Sequence, residues 1–178
     1  GHLEVMAKSK QTGELHLIGT TVVHMTSEPS PVFRPVIAGQ WQNLFKPKKH
    51  GFYMNDHTIY QDSRGDWRII GITSKTSGDF SAEKYFASGS SSKFPDPAGM
   101  QESEPVAAFN EIAWAPCVIK KDRSYHLFWS PHRLVQMHSD DGINWKDKHV
   151  TLSKPMHPYF RDPMVLKVGA NQWLLYTT

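Results

Sequence analysis

Two aspartates stand in matched settings in this chain. Asp56 lies in Tyr53-Met54-Asn55-Asp56-His57 and Asp162 in Phe160-Arg161-Asp162-Pro163, and each precedes a short run of β-forming residues. Carboxyl groups that share one site push each other's pKa apart, so that one stays ionised while the other holds a proton. Such a pair can run general acid–base or nucleophilic chemistry. Beside them, Asn55, His57 and Arg161 would bond a ligand's polar groups or the carboxylates themselves, and Trp114 and Trp129 offer flat stacking faces. Each of these residues also has a plainer reading. Asp56 after Asn and Asp162 before Pro suit turns that open a strand. Arg161 and Asp162 suit a structural ion pair, and His57 suits a core histidine with its bonds made. Strand alternation would put part of Trp114 and Trp129 into a core.

Metal chemistry has less support. Of the ten histidines, His50 with His57 and His132 with His138 are close pairs, but neither supplies the three or four ligands of a zinc site. No cofactor is expected. The single cysteine, Cys117, excludes an internal disulfide framework and a Cys-rich zinc site. Its setting in Ala115-Pro116-Cys117-Val118-Ile119 suits a buried, inert thiol.

Asp56 and Asp162 are 106 residues apart, and a repeat with the two in equivalent slots would bring them to one place. Three segments align. Asn55 to Tyr60, a turn over Asp62–Asp66, and Trp67 to Thr73 form the first. Trp114 to Ile119, a turn over Lys120–Ser124, and Tyr125 to Ser130 form the second. Arg161 to Leu166, a turn over Gly169–Gln172, and Trp173 to Thr177 form the third. Each is a β-run, a polar turn and a second run opened by an aromatic, which is a hairpin pattern. Asp56, Ala115 and Asp162 hold the same slot, 59 and 47 residues apart, and the opening aromatics follow that slot by 11, 10 and 11 residues. Further strand candidates lie at Tyr85–Ser88 and Leu134–Ser139.

No long segment has helical periodicity with caps. Repeats of roughly 45–60 residues with three or four antiparallel strands point to an all-β propeller, with about two and a half blades present. The expected organisation is a single partial propeller domain over 1–178. Blade one covers about 52–94, blade two about 109–151, and the start of blade three about 156–178. Residues 1–51 supply a strand and loops, with Leu15–Val23 a candidate closing strand, and Ser90–Glu104 reads as a loop between blades. The innermost strand of each blade faces a central funnel, so equivalent slots converge there.

With the repeat in place, the motifs resemble those of five-bladed propeller glycoside hydrolases. Tyr53-Met54-Asn55-Asp56 is similar to the motif that carries the nucleophile in the β-fructosidase group. Phe160-Arg161-Asp162-Pro163 is similar to that group's Arg-Asp-Pro motif, and Trp114-Ala115-Pro116 to a Trp-Ala-Pro motif of glycoside hydrolase family 43. The resemblance covers Tyr53 to Thr178, roughly the span of the three repeats. It implies that Asp56 acts as nucleophile or base and that Asp162 stabilises the transition state or tunes its partner. Asn55, His57 and Arg161 would then bond sugar hydroxyls, and Trp114 and Trp129 would stack on sugar rings. The sequence departs from the pattern at His57, where the fructosidase motif has Pro, and at Cys117, where family 43 often has Glu. In both groups the general acid is a Glu from a later blade, and this chain has no Glu beyond Glu111. The resemblance also admits a structural calcium on the propeller axis, without a legible ligand set.

The reading is therefore a glycosidase-like propeller for a furanoside or short oligosaccharide, inactive on its own for want of the acid. The alternative is a non-catalytic carbohydrate-binding or scaffold propeller. The expected partner is carbohydrate, together with a second copy or the missing C-terminal half of the ring.

Bulk properties agree. Hydrophobic residues at 39% and charged residues at 21% give a globular balance. A net charge of +3, with its densest run at Lys46-Pro47-Lys48-Lys49, is too little for a nucleic-acid footprint. No apolar stretch has the length of a membrane span. Gly1-His2 reads as a tag remnant, so location stays unassigned: the cytoplasm is favoured, and secretion is open to a chain whose leader was removed.

Overall fold

The computed structural model describes residues 2–8, 15–22, 43–76, 79–96, 98–153 and 160–178. The chain divides into two compact units, Gly1–Gln40 and Trp41–Thr178, where the sequence reading drew one domain. In the first unit β1 (His2–Lys8) and β2 (Leu15–Val22) pair antiparallel with each other. The closing-strand candidate thus has β1 as its partner. Its last residue, Val23, lies outside the described residues, as do residues 156–159 at the expected start of the third blade.

Among the described residues, the second unit holds three antiparallel sheets that follow chain order. The first contains β3 (Asn55–Gln61), β4 (Trp67–Ile72), β5 (Tyr85–Ser91) and β6 (Gln101–Ala108). The next contains β7 (Trp114–Lys121), β8 (Ser124–Ser130), β9 (Leu134–Ser139) and β10 (Lys146–Leu152). The last pairs β11 (Met164–Lys167) with β12 (Trp173–Tyr176). Strand β6 corrects the expected Ser90–Glu104 loop, because its start lies inside that stretch and carries the first sheet past residue 94 to Ala108. The sequence Gln-Glu-Ser-Glu-Pro hid it. An outer edge strand tolerates charge and proline that a central strand would not. Among the described residues no helix is long and apolar enough to cross a membrane.

Period-two alternation sends the two faces of β8 into two cores. Leu127 and Trp129, with Val135 and Met137 of β9, meet Ile70, Ile72 and Phe86 of the first sheet. Phe128 points the other way and joins Leu134 and Phe160 towards the third sheet. The larger core is anchored by aromatics: Phe109 lies 4.6 Å from Trp129 and 5.5 Å from Phe86, centroid to centroid. At the far end, the Tyr60 hydroxyl donates to the Gly142 carbonyl at 2.8 Å and Ser63 N–H to the Asp141 carbonyl at 2.9 Å, tying the two four-stranded sheets turn to turn.

All three inner hairpins open with the same irregularity. Asn55 faces Ile72 and Thr58 faces Ile70. Trp114 faces Ser130 and Cys117 faces Phe128. Arg161 exchanges backbone hydrogen bonds with Thr178 (3.0 and 3.2 Å), and Met164 faces Tyr176. In each case three steps on the inner strand match two on its partner, so one residue bulges. The residue in the repeated slot is left-handed every time, with φ of 27° at Asp56, 49° at Ala115 and 54° at Asp162.

Gly71 lies beneath the first bulge. A Cβ there would meet Met54 Cγ at 2.8 Å and both the Asn55 oxygen and His57 Cβ at 2.9 Å. Gly71→Ala is expected to destabilise the 41–178 unit by about 1–3 kcal/mol through overpacking, measured by urea denaturation. An unchanged midpoint would mean that the bulge does not need bare backbone below it.

Candidate functional site

The three slots open onto one concavity of about 470 Å³. Its wall is made of Asp56, His57 and Thr58 from the first hairpin, Ala115 to Val118 from the second, and Asp162 to Val165 from the third. Two cross-links hold these inner strands side by side: Val118 N–H donates to Thr58 Oγ1, and Val165 N–H to Cys117 Sγ, both at 3.4 Å. A smaller cavity of about 330 Å³ also contains Asp56 and Asp162, with Asn55, Phe80, Glu83, Trp114 and Arg161 around it. The structure thus brings Asp56, Asp162, Asn55, His57, Trp114 and Arg161 to one region.

Local geometry explains how the carboxylates are presented. In a regular strand, a residue at the slot would alternate into a neighbouring sheet. The left-handed bulge takes the slot residue out of that alternation, and the wall is where it lands. Asp is among the few side chains that visit this conformation readily. Asp56 is exposed, and Asp162 is partly covered. Asp162 Oδ2 accepts the Thr178 hydroxyl at 2.7 Å and lies 3.3 Å from Arg161 Nε. Both members of that ion pair keep over a third of their side-chain surface in solvent, so it steers the carboxylate more than it stabilises the fold.

Trp129 takes no part in the wall. It is fully buried against Phe86 and Phe109, because alternation from Leu127 directs it into the main core, and no face is left for stacking. Trp114, at the start of β7, keeps part of its surface and lines the smaller cavity. Cys117 is half-buried on the larger wall, and burial pushes its thiol up, against a smaller opposing effect of the Val165 N–H. It is a lining group and not a ready nucleophile.

Glu83 is the wall residue that sequence reasoning missed. It lies in the connection from β4 to β5 and is buried, with 4% of its surface exposed. One carboxylate oxygen accepts the Tyr53 hydroxyl and the other the Trp114 indole N–H. These partners are 30 and 31 residues away, and Ala-Glu-Lys before a strand reads as ordinary solvated charge, so no local signal marks it. Burial, then the hydrogen bond and charge of Glu83, push the Tyr53 phenol up to about 12. Among the described residues, no cluster of His, Cys, Asp and Glu is arranged to hold a metal ion.

No family model and no curated protein matches the sequence. The fold does match solved structures. A glycoside hydrolase family 43 β-xylosidase/α-arabinofuranosidase from a compost microbial metagenome, in complex with xylotriose and calcium-free, superposes with a TM-score of 0.54 at 18% identity, over 75% of this chain and 44% of its own. The RS223 β-xylosidase superposes with a TM-score of 0.53 at 15% identity, over 71% of this chain and 44% of its own. At such identities the likeness is one of fold. The described strands of this chain form antiparallel sheets whose fold is shared with part of these glycoside hydrolase structures, and the chain spans less than half the length of the structures it matches.

Proposed function

We propose that this chain supplies the carbohydrate-facing inner strands of a propeller glycosidase that acts on a furanoside or short oligosaccharide. The observation that carries the reading is that Asp56 and Asp162 occupy equivalent left-handed slots and line the same two cavities. Cleaving a glycosidic bond takes one ionised carboxylate and one protonated carboxyl across the scissile bond. Asp56, exposed at the wall, serves as nucleophile or as base for water. Asp162, already bonded to Thr178 and Arg161, orients the sugar and tunes Asp56. Asn55, His57 and Arg161 meet sugar hydroxyls, and Trp114 offers a partly open ring.

The proton donor is not supplied by this set. Glu83 has both oxygens engaged, and the sequence holds no Glu beyond Glu111. The reading therefore places the acid in chain that follows residue 178, with a Glu within roughly 40–80 residues of Asp162 by the repeat spacing. In that longer protein, Asp56→Asn is expected to lower kcat/KM on xylo- or arabino-oligosaccharides by about 10²–10⁴-fold. Activity that persists in the variant would remove Asp56 from the mechanism. A second reading, a carbohydrate-binding propeller without catalysis, is favoured by Cys117 and Ala115 standing where a further carboxylate would face the cavity. It is selected if the longer protein binds xylotriose and releases no reducing ends.

Partners beyond the sugar follow from β11 and β12. Met164, Leu166, Leu174, Leu175 and Tyr176 are each more than 40% exposed, on a sheet that has two strands among the described residues. Exposed apolar strands of this kind recruit further strands. The chain of 178 residues is expected to self-associate at micromolar concentration, and Leu174→Lys with Tyr176→Lys is expected to restore the monomer in sedimentation velocity. A monomeric wild type would show that this sheet needs no cover.

A further inference from the structure

Glu83 is a buried carboxylate on the wall of the site, and the chemistry proposed above leaves it without a task. Its connections are specific. Oε1 accepts the Tyr53 hydroxyl, Oε2 accepts the Trp114 indole N–H, and its backbone carbonyl accepts the Ala113 N–H at 2.9 Å. Tyr53 leads into the Asp56 bulge, and its own carbonyl accepts the Thr73 hydroxyl at 2.6 Å. Trp114 leads into the Ala115 bulge. One side chain from the β4–β5 connection thus grips the entries of two inner strands that belong to different sheets.

Trp114 is the residue with most to lose if that grip fails. Its ring borders the cavity that holds Asp56, Asp162 and Glu83, and also a second, mostly apolar cavity of about 380 Å³ beside Pro131, His132 and Phe160. Trp114 and Arg161 are the residues that line both spaces. The position of the Trp114 ring is set by packing and by the single hydrogen bond an indole can donate. Burying a carboxylate is costly unless donors meet it, so two neutral donors on one buried carboxylate form a unit in which each member holds the others.

The geometry points to Glu83 as a positioning residue that locks the Trp114 ring at the mouth of the carboxylate cavity, so that the ring presents a fixed face to a sugar. This role rests on the reading of that cavity as a carbohydrate site. The restraint on the ring is testable without any sugar. Both oxygens of Glu83 are engaged, so it acts through Trp114 and Tyr53 and does not touch the reacting atoms.

The test uses the full chain with Glu83→Met, and Tyr53→Phe as its companion. Methionine keeps the length of Glu83 and removes both carboxylate oxygens, so the indole and the phenol each lose their acceptor. The expected result in Glu83→Met is a shift or broadening of the Trp114 indole ¹H–¹⁵N resonance while the other indoles stay in place. Xylotriose affinity, followed by titration calorimetry, is expected to weaken about tenfold, the size set by losing a hydrogen bond to a charged group. Tyr53→Phe keeps the bond from Trp114 to Glu83 and loosens the carboxylate on its other side, so the indole resonance is expected to move by less than in Glu83→Met. A Trp114 resonance unchanged in folded Glu83→Met overturns the proposal, and so does a moved resonance with unaltered affinity. If Glu83→Met does not fold, hydrogen exchange of the wild-type Trp114 indole decides: protection supports the assignment, and exchange at the rate of an open indole overturns it. If wild type binds no xylotriose while Glu83→Met still releases the ring, the restraint stands and the carbohydrate reading fails.

Discussion

A single backbone device organises this molecule: one extra, left-handed residue at the start of each inner strand. A non-glycine residue in that region costs roughly 1–2 kcal/mol, and here it recurs at Asp56, Ala115 and Asp162. The recurrence lets the same strand do two jobs. Beyond the bulge it pairs and alternates as any strand does, feeding the cores between sheets. At the bulge it escapes alternation and gives its side chain to the concavity. Asp fits the conformation well, while Ala115 bears the steric cost without a local hydrogen bond in return, which marks the geometry as a property of the repeat and not only of the carboxylates.

The rest of the fold supports that device. Gly71 leaves room beneath the first bulge, and Trp129 with Phe86 and Phe109 presses the two four-stranded sheets together. The Val118–Thr58 and Val165–Cys117 contacts keep the inner strands adjacent, so that three slots far apart in sequence share one wall. Glu83 adds a brace at the mouth, joining the residues that lead into two of those slots. Stability and presentation of the site are thus carried by the same few contacts.

Much of this was legible in the sequence because the repeat is carried by covalent spacing. The slot and the opening aromatic keep their separation from hairpin to hairpin, and the turn between them is written in Gly, Asp and Asn, so the three hairpins and the matched slots of Asp56 and Asp162 could be read directly. What was not legible depends on distant contacts. Strand β6 looks like a loop because edge strands admit the Glu and Pro it contains. Trp129 looks like a platform because sequence shows its alternation but not which face of β8 meets another sheet. Glu83 looks solvated because its two partners are each some thirty residues away.

The most direct test of this account is an assigned ¹H–¹⁵N spectrum of the 178-residue chain titrated with xylotriose. The account predicts that the amides of Asp56 to Thr58, Ala115 to Val118 and Asp162 to Val165 (the prolines excepted) shift together with one dissociation constant, because one ligand touches all three slots. Shifts confined to one hairpin, or clustered away from the wall, would contradict the convergence of Asp56 and Asp162 on a shared carbohydrate site.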